Sequence, residues 1–62
     1  MNTTSFRAIY FGNDRWTVRK FEGGSCYESQ LILHVEDPES RSSDKAAIVL
    51  AVKNNQWSVL KP

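Results

Sequence analysis

The chain has 62 residues, 40% of them hydrophobic and 24% charged, with a formal net charge of +1. That describes one domain, too apolar for a disordered segment and too nearly neutral to be drawn as a whole to nucleic acid or an anionic membrane. A lone cysteine, Cys26, excludes an intrachain disulfide and fits a reducing compartment, and no apolar run approaches the ~18 residues of a membrane span.

Met1–Ser5 is polar and expected to fray. The first fifteen residues lack the long apolar core of a signal peptide, which points to a cytoplasmic location, and Asn2-Thr3-Thr4 then matches the glycosylation pattern by accident. Phe6–Phe11 reads as a first strand and Arg15–Phe21 as a second, with Gly12-Asn13-Asp14 as hairpin turn. Carried through, this hairpin places Ile9 and Phe11 with Trp16 and Val18. Phe6, Ala8 and Tyr10 then share the other face with Thr17, Arg19 and Phe21.

Glu22-Gly23-Gly24-Ser25 is the next turn, because glycine supplies the positive φ of a two-residue loop. A third strand over Cys26–Val35 then sets Phe21 opposite Cys26, Arg19 opposite Glu28, Thr17 opposite Gln30 and Trp16 opposite Leu31. Residues 1–21 balance to 4 − 1 = +3, and residues 22–39 carry five acids and no Lys or Arg. Complementary neighbouring strands explain that division best. Residues 36–45 are polar, serine-rich and broken by Pro38, and read as a mobile loop.

Ala46–Val52 is seven consecutive apolar residues, either a buried strand or a buried helix. The helix has Ser43 as N-cap, Asp44 in its first turn and Asn54 as its stop. It would be apolar all round, and so short a chain has little mass to bury it; the β-branched Ile48, Val49 and Val52 also favour a strand. With Asn54-Asn55 as loop, Val52 pairs with Trp57, Leu50 with Val59 and Ile48 with Lys61. The expected fold is all-β, a small five-stranded antiparallel meander or SH3-like barrel, with the last strand closing near the first. If Asp44–Asn54 is a helix, the fold is α+β: three strands, a short helix, then a strand. The expected core face is Ile9, Phe11, Trp16, Val18, Leu31, Leu33, Val35, Ile48, Leu50, Val52, Trp57 and Val59.

Enzyme readings come out poorly, and the expectation is a chain without catalytic residues. His34 is the single histidine, and no second His or Cys completes a zinc site. Cys26 and His34, eight residues apart on one strand, lie about 26 Å from one another. Glu36, Asp37 and Glu39 lack the spacing of a calcium loop, and Gly23-Gly24 precedes a strand where a phosphate loop precedes a helix. No metal and no cofactor are expected.

Two binding readings remain. Phe6, Tyr10 and Phe21 interleave with Arg19 on one sheet face, with Arg7, Arg15 and Lys20 nearby. With Val49 and Leu60 this makes an aromatic and arginine surface suited to a protein partner, and a bland second core under the 36–45 loop is the competing explanation. The expected function is a small interaction or regulatory module that binds a protein through this surface or an open edge strand. The alternative is a single-stranded nucleic-acid-binding barrel stacking bases on Phe6, Tyr10 and Phe21. Gln56–Lys61, if left open, is the expected edge of a homodimer.

Overall fold

A computed structural model describes residues 3–62. Four antiparallel strands, β1 (Thr4–Gly12), β2 (Arg15–Glu22), β3 (Ser25–Ile32) and β4 (Ser58–Lys61), form one sheet in sequence order. A helix, α1 (Arg41–Asn54), joins β3 to β4 and packs on one face of the sheet, nearest β1. The fold is thus a small antiparallel sheet with one helix, the arrangement that a helical Asp44–Asn54 implies. The five-stranded barrel does not form: β4 lies beside β3, at the opposite edge from β1, and the sheet stays open.

The second hairpin has the expected register throughout, with Phe21 opposite Cys26, Arg19 opposite Glu28 and Trp16 opposite Leu31. Gly23 and Gly24 both take positive φ, as the two-residue loop demands. The first hairpin differs. Asn13 (φ 53°) and Asp14 (φ 62°) are the central pair of the turn, and Gly12 (φ 92°) pairs with Arg15. Tyr10 nevertheless pairs with Trp16, so Phe11 is the extra residue of a bulge. That one-residue shift turns over every side chain before it. Phe6, Ala8 and Tyr10 join Trp16 and Val18, while Ile9 and Phe11 go to the opposite face.

β3 ends at Ile32, three residues short of expectation. The chain keeps the same register one step further, beside the first turn: the Leu33 amide donates to the Asp14 carbonyl (2.8 Å), and the Trp16 indole Nε1 donates to the Leu33 carbonyl (3.0 Å). At the other end Thr4 and Ser5 belong to β1 and are not frayed; the expectation for Met1 and Asn2 lies outside the described residues. Arg41–Lys45 likewise belongs to α1 and not to a loop.

The helix forms because its ends are satisfied and its contact stripe is small. Ser40, not Ser43, is the N-cap; its side chain accepts from the Ser43 amide (3.3 Å). The Ser43 hydroxyl is itself buried and donates to the Asp37 carbonyl, tying the preceding turn to the helix. Asp44 in the first turn and Lys53 in the last complement the helix dipole. Ser43, Ala47 and Ala51, spaced four apart, are the buried residues, and such small side chains let the helix settle closely on the sheet. Val49 (66% exposed) and Val52 (50% exposed) point outward, so the helix is not buried all round. Three of the seven residues in the apolar run are alanines, the strongest helix formers and the least demanding of burial.

Asn55 accounts for the two-Asn break differently from a hairpin loop. It is the left-handed C-cap of α1 (φ 52°), its amide donating to the Ala51 carbonyl (3.0 Å). Replacing it tests this assignment. Asn55→Val is expected to cost about 1–2 kcal/mol in a urea titration, and Asn55→Gly a few tenths at most. Equal effects of the two would sink the left-handed assignment.

The core is Trp16, Val18, Leu31, Ala47 and Ala51, with Ala8, Tyr10, Leu33, Val35, Ile48, Leu50 and Trp57 packed against it. Four expected core residues are not in it. Ile9 and Phe11 are turned over by the bulge, Val52 faces solvent from the helix, and Val59 lies exposed on the short β4.

Candidate binding surface

α1 covers one face of the sheet and leaves the other bare. The residues of the bare face follow from strand alternation and register, which group them in rows. One row is Ser5, Phe21 and Cys26; the next is Arg7, Arg19, Glu28 and Ser58. The third is Ile9, Thr17 and Gln30, and the last brings Arg15 beside Ile32, with the bulged Phe11 alongside.

The seven residues expected to form one site are split between the two faces. Arg7, Arg15, Arg19 and Phe21 stand together on the open face. Phe6, Tyr10 and Lys20 stand on the helix side, where they do structural work. The Tyr10 ring lies 4.9 Å from that of Trp16, and its hydroxyl accepts from the Asp14 amide (3.3 Å). Lys20 Nζ sits between the rings of Tyr27 (4.8 Å) and Trp57 (4.6 Å), and Phe6 lies 6.3 Å from Trp57. This cluster clamps the segment after α1 onto the sheet, through cation–π contacts and aromatic packing.

Two exposed residues that the sequence reading leaves out of the site complete the open face: Phe11 (63% exposed) and Ile32 (75% exposed). With Arg15, Thr17, Gln30 and Glu28 they line an open groove of about 560 Å³. A second depression of about 500 Å³ shares Glu28 and Gln30 with it and continues to Gln56, Trp57 and Ser58. The sequence signal for Phe11 was present, since a glycine just before Asn13-Asp14 is the residue a bulge favours.

Charge is segregated. Among the described residues only Glu28, of the seven acids, lies on the open face, against Arg7, Arg15, Arg19 and Lys61, a balance of 4 − 1 = +3. Arg7 stands directly opposite Arg19, a like-charge pair that works against the sheet. Glu28 relieves part of it: its Oε1 is 3.5 Å from Arg19 Nε, though that Nε is buried and makes no hydrogen bond.

Comparisons with known protein families, curated proteins and solved structures found no match. The chemistry of the surface therefore rests on its own residues. Among the described residues no three His, Cys, Asp or Glu side chains come together as a metal cluster, and no helix is long and apolar enough to cross a membrane. His34 is exposed past the end of β3, its Nδ1 3.2 Å from Asp14 Oδ1. Cys26 is half-buried and unpaired.

Proposed function

We propose that the chain is a non-enzymatic interaction module that holds an acidic, partly apolar protein segment against the open face of its sheet. The observation that carries this reading is Arg7 directly opposite Arg19 on a face that nothing covers. A like-charge cross-strand pair weakens the fold by itself, and the domain contributes one carboxylate, Glu28, toward relieving it. Among the described residues neither Arg7 nor Arg15 meets a carboxylate at ion-pair distance. A partner's Asp or Glu side chains supply what is missing, with bidentate geometry available at each guanidinium. Phe11 and Ile32, on either side of Arg15, are the apolar anchors; aromatic residues beside arginine are the usual composition of interface hot spots.

The positive balance of the open face also favours single-stranded nucleic acid. That reading keeps its arginines and loses its platform. Phe6 and Tyr10 belong to the other face, and Phe21, opposite Ser5, lies about 20 Å along the sheet from Phe11. Two rings so far apart cannot stack successive bases.

The test compares the wild-type chain with Arg15→Glu and Phe11→Ala in affinity capture from native cell extract, beside a salt titration of oligonucleotide binding. Both substitutions lie outside the core, so the unfolding midpoint should hold. The expected result is an acidic protein partner whose retention falls about tenfold or more with either variant. Capture indifferent to both substitutions would remove the open face from consideration. Micromolar oligonucleotide binding with a steep salt slope would move the proposal to the nucleic-acid reading.

A further inference from the structure

We propose that β1 is the pairing edge of a homodimer, in which two copies join antiparallel through this strand to make one eight-stranded sheet. The inference rests on the backbone and is independent of what the open face binds.

A sheet edge presents a row of unpaired amides and carbonyls, and folded monomers blunt such rows with short strands, charges, prolines or bulges. Among the described residues the sheet has three exposed stretches of edge. β4 is four residues long, carries Lys61 and has an irregular register against β3. The outer edge of β3 is free only beyond Glu28, over Ser29–Ile32. β1 is different. It runs nine residues, has no proline and one charge, Arg7, and keeps its bulge at the far end. It is rich in the aromatic and β-branched residues that favour strands, and Phe6 and Phe11 remain exposed on it. Among the described residues no backbone group outside β2 hydrogen-bonds to the backbone of β1.

The strand is also its own complement, which selects a second copy as the occupant. A two-fold axis normal to the sheet through Ala8 sets Phe6 opposite the second copy's Tyr10 on the helix side. On the open face it sets Arg7 opposite the second copy's Ile9. The pairing is isologous, so every contact off the axis occurs twice. Of the two neighbouring symmetric registers, the one centred on Arg7 would oppose two guanidinium groups, and the one centred on Ile9 would draw the bulge at Phe11 into the pairing opposite Arg7. A net charge of +1 leaves little long-range repulsion between copies. The same axis puts both helices on one side and both open faces on the other, so that the basic surface doubles in width.

Ile9 provides the test, because its face partner across the axis is Arg7. In Ile9→Lys the dimer acquires two like-charge pairs, and in Ile9→Glu two opposite-charge pairs, while both variants lose the same aliphatic side chain. Sedimentation of the full chain over a range of concentrations should show a reversible monomer–dimer equilibrium in the micromolar range, as expected for a small interface. Ile9→Lys should weaken it about tenfold or more relative to Ile9→Glu, with circular dichroism confirming that both are folded. Amide exchange in β1, and not in β4, should slow as concentration rises. A wild-type chain that stays monomeric to about 1 mM would overturn the proposal. So would a dimer equally strong in the Lys and Glu variants, or concentration-dependent protection confined to β4.

Discussion

Trp16→Ala is expected to leave the chain largely unfolded at 25 °C. Among the described residues Trp16 and Val18 are the largest fully buried side chains, and Trp16 lies at the crossing of β1, β2, β3 and α1. Removing a buried tryptophan costs about 3–5 kcal/mol, since the surroundings only partly collapse into the space. The same change removes the indole donor to the Leu33 carbonyl, a contact worth about 1 kcal/mol that holds the segment after β3 beside the first turn. A domain of this length has a total stability of about 3–9 kcal/mol, at roughly 0.05–0.15 kcal/mol per residue. The loss is therefore comparable with everything the fold has. Far-UV circular dichroism and a urea titration read the outcome, with Trp57 as a remaining fluorophore. Trp16→Phe keeps most of the volume and loses the donor, so it should remain folded with a lower midpoint. A Trp16→Ala protein that unfolds cooperatively at the wild-type midpoint would show that the core is not centred on this residue.

The two hairpins show why part of the fold is legible in the sequence and part is not. In the second, Gly23-Gly24 is the only loop that satisfies two adjacent positive φ values, so the register of β2 against β3 follows at once. Arg19 opposite Glu28 comes with it. In the first, Gly12, Asn13 and Asp14 all tolerate positive φ and all adopt it, and composition does not say which two form the turn. The bulge at Phe11 decides, and it inverts the two faces of β1. The candidate surface inherits this division. Arg15, Arg19 and Phe21 share a face by β2 alternation alone, whereas Phe6 and Tyr10 depend on the bulge and are misplaced without it. α1 is hidden for another reason. Ser40, Ser42 and Ser43 are all competent caps, and the one used lies outside the apolar run. Ile48, Val49 and Val52 lend that run a strand-like composition, which tertiary packing overrides once Ala47 and Ala51 meet the sheet.

Ala47→Leu is expected to destabilise the fold by about 1–3 kcal/mol, while Val52→Lys should be nearly neutral. Ala47 and Ala51 have no exposed surface, and with Ser43 they form the stripe along which α1 meets the strands. Three added carbon atoms at Ala47 find no space there, so the helix must lift or the side chain must leave its rotamer. The first route separates the helix from Trp16 and Val18, which it covers, and the second keeps the contact at the cost of a strained side chain. Val52 is half exposed on the outer side of the helix, and a lysine there keeps its charge in water. The pair of substitutions distinguishes the two conformations open to Ala46–Val52. In a strand paired with Gln56–Lys61, Val52 would stand in the core beside Trp57, and Ala47 would lie near the strand end. Lysine at Val52 would then be the damaging change and leucine at Ala47 the tolerated one. Urea midpoints for the two variants, measured together, give opposite orders for helix and strand, and the helix requires Ala47→Leu to be the less stable.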